Sequence, residues 1–251
     1  MMKHLPLQSR YYREFLSDYA RHLERVGYNP VTIKMLPTLV REFFHRLEQI
    51  GIKSLEEVTP EVINNHYRYL KERPCRGRPG SLSESMLHGH LWAMKILFSF
   101  LQAEGRINAD PFSLLSFPAP KKQQREILTR EEIEKLYQAC ETSLDRAILG
   151  LFYGCGLRKS EVQALNLRDI SFRSRLLYVR SGKGKRRRVV PVTEKVTGDL
   201  KNYYLQERIR VLRKSKDPDR EKAFILNSHG ERMLGQSFWR KLRYLVLKAG
   251  I

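Results

Sequence analysis

Apolar residues recur every fourth position near the start of the chain, at Tyr11, Phe15, Tyr19 and Leu23. That period predicts a helix over 7–26, which Gly27 stops. Asn29 is placed to cap the next helix, with Pro30 at its first position. Ile33, Leu36, Val40, Phe43, Phe44 and Leu47 carry the apolar period on to about Gly51. In TPEVINNHYRYLKER, Thr59 caps, Pro60 opens and Glu61 sits in the first turn. RPCRGRPGS then breaks the pattern, and 82–104 is a long, mostly apolar helix containing Trp92, Ile96, Leu97, Phe98, Phe100 and Leu101. Four helices in this span predict a small bundle. INADPFSLLSFPAPKKQQREI has three prolines and no period, and reads as a linker.

The second half mixes periods. Thr129 caps REEIEKLYQAC, with acidic residues in its first turn. LDRAILGLFYGCG predicts an apolar helix stopping at glycines, and KSEVQALNL a short one. RLLYVRS and RRRVVPV alternate as strands do, and GKGK between them has the composition of a tight hairpin. TEKVTGDLKNYYLQERIRVLRK predicts a helix weakened by Gly198, KAFILN a short buried strand, and GQSFWRKLRYLVLKAGI a closing helix. No internal repeat is visible. The expected domains are a helical bundle over 1–112, a linker over 113–127 and an α+β domain over 128–251.

Charge changes this picture. The chain has 251 residues and a net charge of +20. Residues 1–118 hold 16 basic and 12 acidic side chains, whereas 119–251 hold 31 and 15, a net of +16. Such an excess favours a polyanionic partner, nucleic acid above all, and concentrates its footprint in the second half. Cys75, Cys140 and Cys155 have no metal-like or Cys-x-x-Cys spacing, and read as free thiols of a reducing compartment. Neither an apolar run of roughly 18 residues nor a signal-peptide core is present, so a cytoplasmic protein without a membrane partner is expected. No cofactor and no metal are expected.

The pointed chemistry lies in two stretches, YGCGLRKSEV at 153–162 and SGKGKRRRVVP at 181–191. The second lacks the spacing of a phosphate-binding P-loop, and the first lacks the third glycine and the preceding strand of a dinucleotide fingerprint. Phosphodiester chemistry fits both. Attack on phosphorus builds negative charge on the non-bridging oxygens, which a guanidinium stabilises through paired hydrogen bonds. The departing sugar oxygen needs a proton, and a lysine in an electropositive site can supply one. An arginine at a helix start and a lysine at a hairpin tip can converge on one phosphate. Asp217 and Asp219, in Asp-Pro-Asp, read as a turn rather than as paired acids.

GCGLRKSEVQALNLRDI resembles the first signature of the tyrosine recombinases, the phage-integrase and Xer-like family, which reads Gly-Leu-Arg-x-Ser-Glu-Leu. SGKGKRRRVVPV resembles that family's β-hairpin, in the family's order and at about its spacing. The first helices resemble its core-binding domain, a SAM-like bundle, and DPF…P…LTREEIEKLY resembles the approach to its catalytic domain. The likeness runs over almost the whole chain. It implies that Arg158 grips the scissile phosphate, that Glu161 supports that arginine, and that Lys183 protonates the leaving 5′-hydroxyl, with Lys185 as the competing assignment. Of Arg186, Arg187 and Arg188, which alternate across a strand, at least one faces solvent. Lys121, Lys122, Lys185, Arg186 and Arg188 are the expected contacts to double-stranded DNA. Family members use a tyrosine nucleophile through a 3′-phosphotyrosine link, need no metal, and act with other recombinase protomers as a tetramer on DNA, through a Holliday-junction intermediate.

One departure stands out. The family's His-x-x-Arg box and its tyrosine should follow a segment like LVLKAGI, with which these residues end. His229 and Arg232 do read His-x-x-Arg, but between a short strand and a helix, and are taken as a coincidence. Tyr203, Tyr204 and Tyr244 read as core or helix-face residues. The catalytic domain is therefore expected to be incomplete, leaving apolar surface of FWRKLRYLVLKAGI uncovered, and the chain is expected to be an inactive fragment that binds DNA without cutting it. The alternative is a naturally short, non-catalytic DNA-binding protein or regulator derived from a recombinase. An RNA-binding protein is a remoter third reading, for which the two short strands offer few stacking aromatics.

Overall fold

The computed structural model describes residues 5–75, 79–119, 126–182 and 186–251. The chain divides into two compact units, Met1–Gln124 and Arg125–Ile251.

The first unit is helical. Helix α1 (Arg10–Arg25) starts where the Ser9 side chain accepts from the Tyr12 N–H. Its buried face is Tyr12, Phe15, Leu16, Tyr19 and Leu23, one step round from the expected stripe, with Tyr11 at the rim. Helix α2 (Pro30–Gln49) is capped by Asn29, which accepts from the Thr32 N–H, and α3 (Pro60–Glu72) by Thr59. Helix α4 (Glu84–Ala103) is capped by Ser83. The four expected helices are thus present, each begun by a side chain that satisfies an otherwise orphaned amide. Their common core is aromatic: Tyr12 stacks on Phe44 at 4.8 Å, and Phe43 and Phe98 meet edge to face at 6.2 Å. Phe112 is buried in this core, and Leu115 and Phe117 pack against it.

The same unit buries charge. Glu42, 4 % exposed, pairs with Arg73 at 2.5 Å, and the His90 ring approaches it at 3.7 Å. His66 lies edge-on to Phe43, and neither of its ring nitrogens has a hydrogen-bond partner among the described residues. Burial, together with nearby His90, Arg46 and Arg73, pushes the His66 pKa down to about 3. Burial and Arg73 push that of His90 down to about 4.

The second unit opens with α5 (Arg130–Ala139), capped reciprocally by Thr129 and Glu132. Helix α6 (Ser143–Leu149) runs into a π-helical turn at Gly150–Gly154. Helix α7 (Lys159–Ala164) follows, then a sheet of order β1-β2-β3 among the described residues. Its strands are β1 (Ile170–Ser171), β2 (Leu176–Val179) and β3 (Arg188–Pro191), all antiparallel. The predicted hairpin is present, with Leu177 opposite Val190 and Val179 opposite Arg188. Strand β1, only two residues long, is an addition.

One expectation is met and one needs correction. The expected helix over 193–214 continues through Gly198. It runs through α8 (Glu194–Asn202), a second π turn at Tyr203–Glu207 and α9 (Arg208–Leu212). The irregular turn points neighbouring residues at different targets. Glu207 accepts from the Ser143 hydroxyl and the Leu144 N–H, while Arg208 turns into the core. KAFILN is not a strand. Ala223, Phe224, Ile225 and Leu226 are buried, but they form only isolated bridges, Ala223 to Asn166 and Leu226 to Arg232. The carbonyls of Ala223 and Phe224 accept instead from the Arg208 guanidinium. Helix α10 (Gly235–Lys248) packs Leu245 with Ile133, Leu136 and Leu149, leaving Trp239, Tyr244 and Leu247 exposed.

Close approach of α8 to the first π turn depends on glycine. A Cβ on Gly154 would lie 2.6 Å from Val196 Cγ2, whereas nothing lies within 4 Å of one on Gly198. Gly154→Ala is expected to destabilise the protein by about 2 kcal/mol through overpacking against a stiff β-branched side chain. Gly198→Ala is expected to stabilise it by about 0.5–1 kcal/mol through helix propensity. Urea denaturation of the two variants checks both signs.

Candidate functional site

Gly156, at φ +60°, turns the chain after the first π turn in a conformation that a side chain would strain. Leu157 is buried, and α7 begins immediately after Arg158. Glu161, on the first turn of α7, folds back. Its Oε2 accepts from the Arg158 N–H at 2.9 Å, and its Oε1 accepts from Arg158 Nη1 at 3.1 Å. The hairpin reaches the same carboxylate from another direction. Arg188 donates Nη1 to Oε1 and Nη2 to Oε2, each at 2.7 Å. Four donated hydrogen bonds fill the acceptor sites of one carboxylate.

The Glu161 side chain is 1 % exposed, whereas that of Arg158 is 58 % exposed. A buried acid therefore holds a surface guanidinium by one edge and leaves most of it open to a ligand. The two-pronged bond from Arg188, together with the Arg158 hydrogen bonds, outweighs burial and lowers the Glu161 pKa to about 2. The carboxylate stays charged at neutral pH. With two arginines on one carboxylate, the cluster carries a net positive charge.

Gly182 closes the hairpin base, donating its N–H to the Arg186 carbonyl at 2.9 Å. A Cβ there would lie 3.1 Å from Glu161 Oε1 and 3.2 Å from Arg188 Nη1, so a side chain would have to push the pair aside by a few tenths of an ångström. A second ion pair, Arg180 with buried Asp169, joins the end of β2 to the turn before β1.

The structure thus brings Arg158, Glu161 and Arg188 together. Arg186 and Arg187 are exposed. Lys121, Lys122, Lys183 and Lys185 lie outside the described residues. His229 is exposed on a turn, while Arg232 donates to the Gln163 and Leu165 carbonyls and to Asn166 Oδ1, at the far end of α7. That pair therefore serves the fold and does not form a His-x-x-Arg box at Arg158. Sequence reasoning missed the Arg188–Glu161 pair and the close fit of Gly182 against it. The alternation of β3 gave only the hint that Arg186 and Arg188 share a face. No group of three His, Cys, Asp or Glu side chains among the described residues is arranged to hold a metal ion. No helix among them is long and apolar enough to cross a membrane.

Residues 126–251 match the phage integrase family. The chain is 30% identical to tyrosine recombinase XerC 2 of Ralstonia nicotianae, over 98% of this chain and 71% of that protein. It is likewise 30% identical to tyrosine recombinase XerC of Thermodesulfovibrio yellowstonii, over 93% of this chain and 74% of the relative. Its fold is similar to that of a lambda integrase dimer bound to a core site, with a TM-score of 0.69 at 18% identity, covering 95% of this chain and 78% of that one. A Tn1549 transposon integrase in complex with a circular intermediate DNA gives 0.65 at 20% identity, covering 92% and 78%. The helical architecture with its small antiparallel sheet is of the lambda-integrase type. By its sequence over the second unit and by relatives that match it along nearly its full length, this chain belongs to the phage integrase family of tyrosine recombinases.

Proposed function

We propose that the chain binds double-stranded DNA as a tyrosine recombinase does, with Arg158 gripping the scissile phosphate and Glu161 holding Arg158 in place. The observation that carries this reading is the geometry of that pair: a buried, ionised carboxylate presenting an open guanidinium in the more basic half of the chain. A planar fork suits the two non-bridging oxygens of a phosphodiester and the charge they gain on attack. In this reading Lys183, directly after Gly182, protonates the leaving 5′-hydroxyl. Lys121, Lys122, Lys185 and Arg186 contact the DNA backbone, which positions without reading sequence. Residues 1–112 act as the core-binding domain, and further protomers assemble with this one on the DNA, in the cytoplasm.

Residues 1–251 alone bind without cleaving. Tyr203 is buried and its hydroxyl accepts from the Leu226 N–H, Tyr204 packs on Phe172, and Tyr244 lies on the exposed face of α10.

The test is fluorescence anisotropy with a labelled duplex across a salt series. Release of counterions from six or more phosphates is expected to weaken binding by about a thousand-fold or more between roughly 50 and 200 mM salt. A flat response overturns the DNA-binding reading. A covalent protein–DNA adduct on a denaturing gel overturns binding without cleavage.

A further inference from the structure

The hairpin and α7 meet on a single buried group. Arg188, on β3, spends both terminal nitrogens on Glu161, the same carboxylate that takes the amide and one guanidinium nitrogen of Arg158. Its place on the strand is fixed by pairing with Val179 across the sheet. Gly182, at the other foot of the hairpin, lies against the same carboxylate, and its hydrogen bond to Arg186 closes the base. Both feet of the hairpin are therefore referenced to the acid that orients Arg158.

We infer that Arg188, expected from the sequence to contact DNA, is instead a positioning residue: through Glu161 it fixes Arg158 and ties β3 to α7, and it does not itself bind DNA phosphate. The inference rests on the DNA-binding reading above. The chemistry separates the two roles. A phosphate contact needs a positive charge that any cation can supply, whereas clamping a carboxylate from both oxygens needs the rigid fork of arginine. A lysine at 188 keeps the charge and cannot reproduce the two parallel bonds. The full Glu161 acceptor set gives the same answer from the other side. Arg188 is already committed to it, whereas Arg158 has most of its surface open.

The experiment is a double-mutant cycle in the full chain, read as affinity for a fluorescein-labelled duplex of about 40 base pairs across a salt series. Arg158→Ala is expected to remove about one phosphate contact, which weakens binding about five- to ten-fold near 0.1 M salt and reduces the log–log slope by about 0.9. Arg188→Ala and Arg188→Lys are both expected to weaken binding, and Arg158→Ala/Arg188→Ala to bind no more weakly than Arg158→Ala alone. Binding by Arg188→Lys equal to wild type overturns the inference, because charge alone then suffices. So does a further five- to ten-fold loss in the double variant, because Arg188 then holds a phosphate of its own. Thermal melting accompanies each variant; where Arg188→Ala does not fold, Arg188→Lys, which keeps the charge, decides the question. Salt-independent binding by the wild type refutes the underlying DNA-binding reading instead, and is seen before any variant is made.

Discussion

Replacing Arg208 with methionine is expected to destabilise the second unit by about 4 kcal/mol, and replacing it with alanine by at least as much. Arg208 is 3 % exposed. Its Nε donates to the carbonyls of Ala223 and Phe224 at 3.1 and 3.2 Å, and its Nη2 to those of Ala223 and Glu221 at 2.8 and 3.3 Å. This one side chain supplies the donors for the Ala223 and Phe224 carbonyls, while the Phe224 N–H donates to the Leu165 carbonyl and the Ile225 carbonyl accepts from the Met233 N–H. Methionine preserves most of the volume and the helix, but leaves buried carbonyls without donors, each a penalty of about 1–3 kcal/mol. The melting temperature should fall by roughly 15 °C for a unit of this size. A methionine variant within about 1 kcal/mol of wild type would show that packing, not hydrogen bonding, holds the segment.

The first unit should weaken steeply in mild acid. The folded-state pKa values of His66 and His90, about 3 and 4, lie well below the ordinary 6.5. Both rings are kept neutral mainly by burial, and Arg73, Arg46 and Glu42 around them are already charged or paired. Below pH 6.5 the unfolded chain takes up two protons that the folded chain refuses, so stability is complete above that pH and declines as pH falls toward the folded values. The slope approaches about 2.7 kcal/mol per pH unit, which makes about 4 kcal/mol lost by pH 5, a large share of the stability of a small domain. Urea denaturation between pH 7 and 5 should show midpoints falling with pH, and His66→Phe should halve the dependence. Midpoints that hold constant over this interval would refute it.

Much of the helical half is legible in the sequence because its signals are local. Asn29, Pro30, Thr59 and Thr129 mark helix starts by chemistry that works within one turn, and the apolar period places the core side. The period left α1 one residue out of phase, because Tyr11 and Tyr12 are equally apolar and only packing chooses between them. KAFILN shows the limit of an apolar run: four buried residues look alike whether their backbone pairs with a strand or with an arginine from elsewhere. At the site, Arg158 and Glu161 were visible because they fall in one contiguous motif. The Arg188–Glu161 bond spans 27 positions, and strand alternation reports which face a residue occupies, not which partner waits there.

The π turn at Gly150–Gly154 carries a consequence for how this lineage can drift. An α-helix advances about 100° per residue, so the extra residue of a π turn rotates everything beyond it by that angle. Deleting one residue between Leu149 and Arg158 would restore an ordinary helix and swing Arg158 and Glu161 together about a quarter-turn relative to α6. Apart from Gly154 and Gly156, residues in this stretch can be exchanged while the site survives. Its length cannot change, so among descendants of this gene insertions and deletions should be purged here more strictly than substitutions.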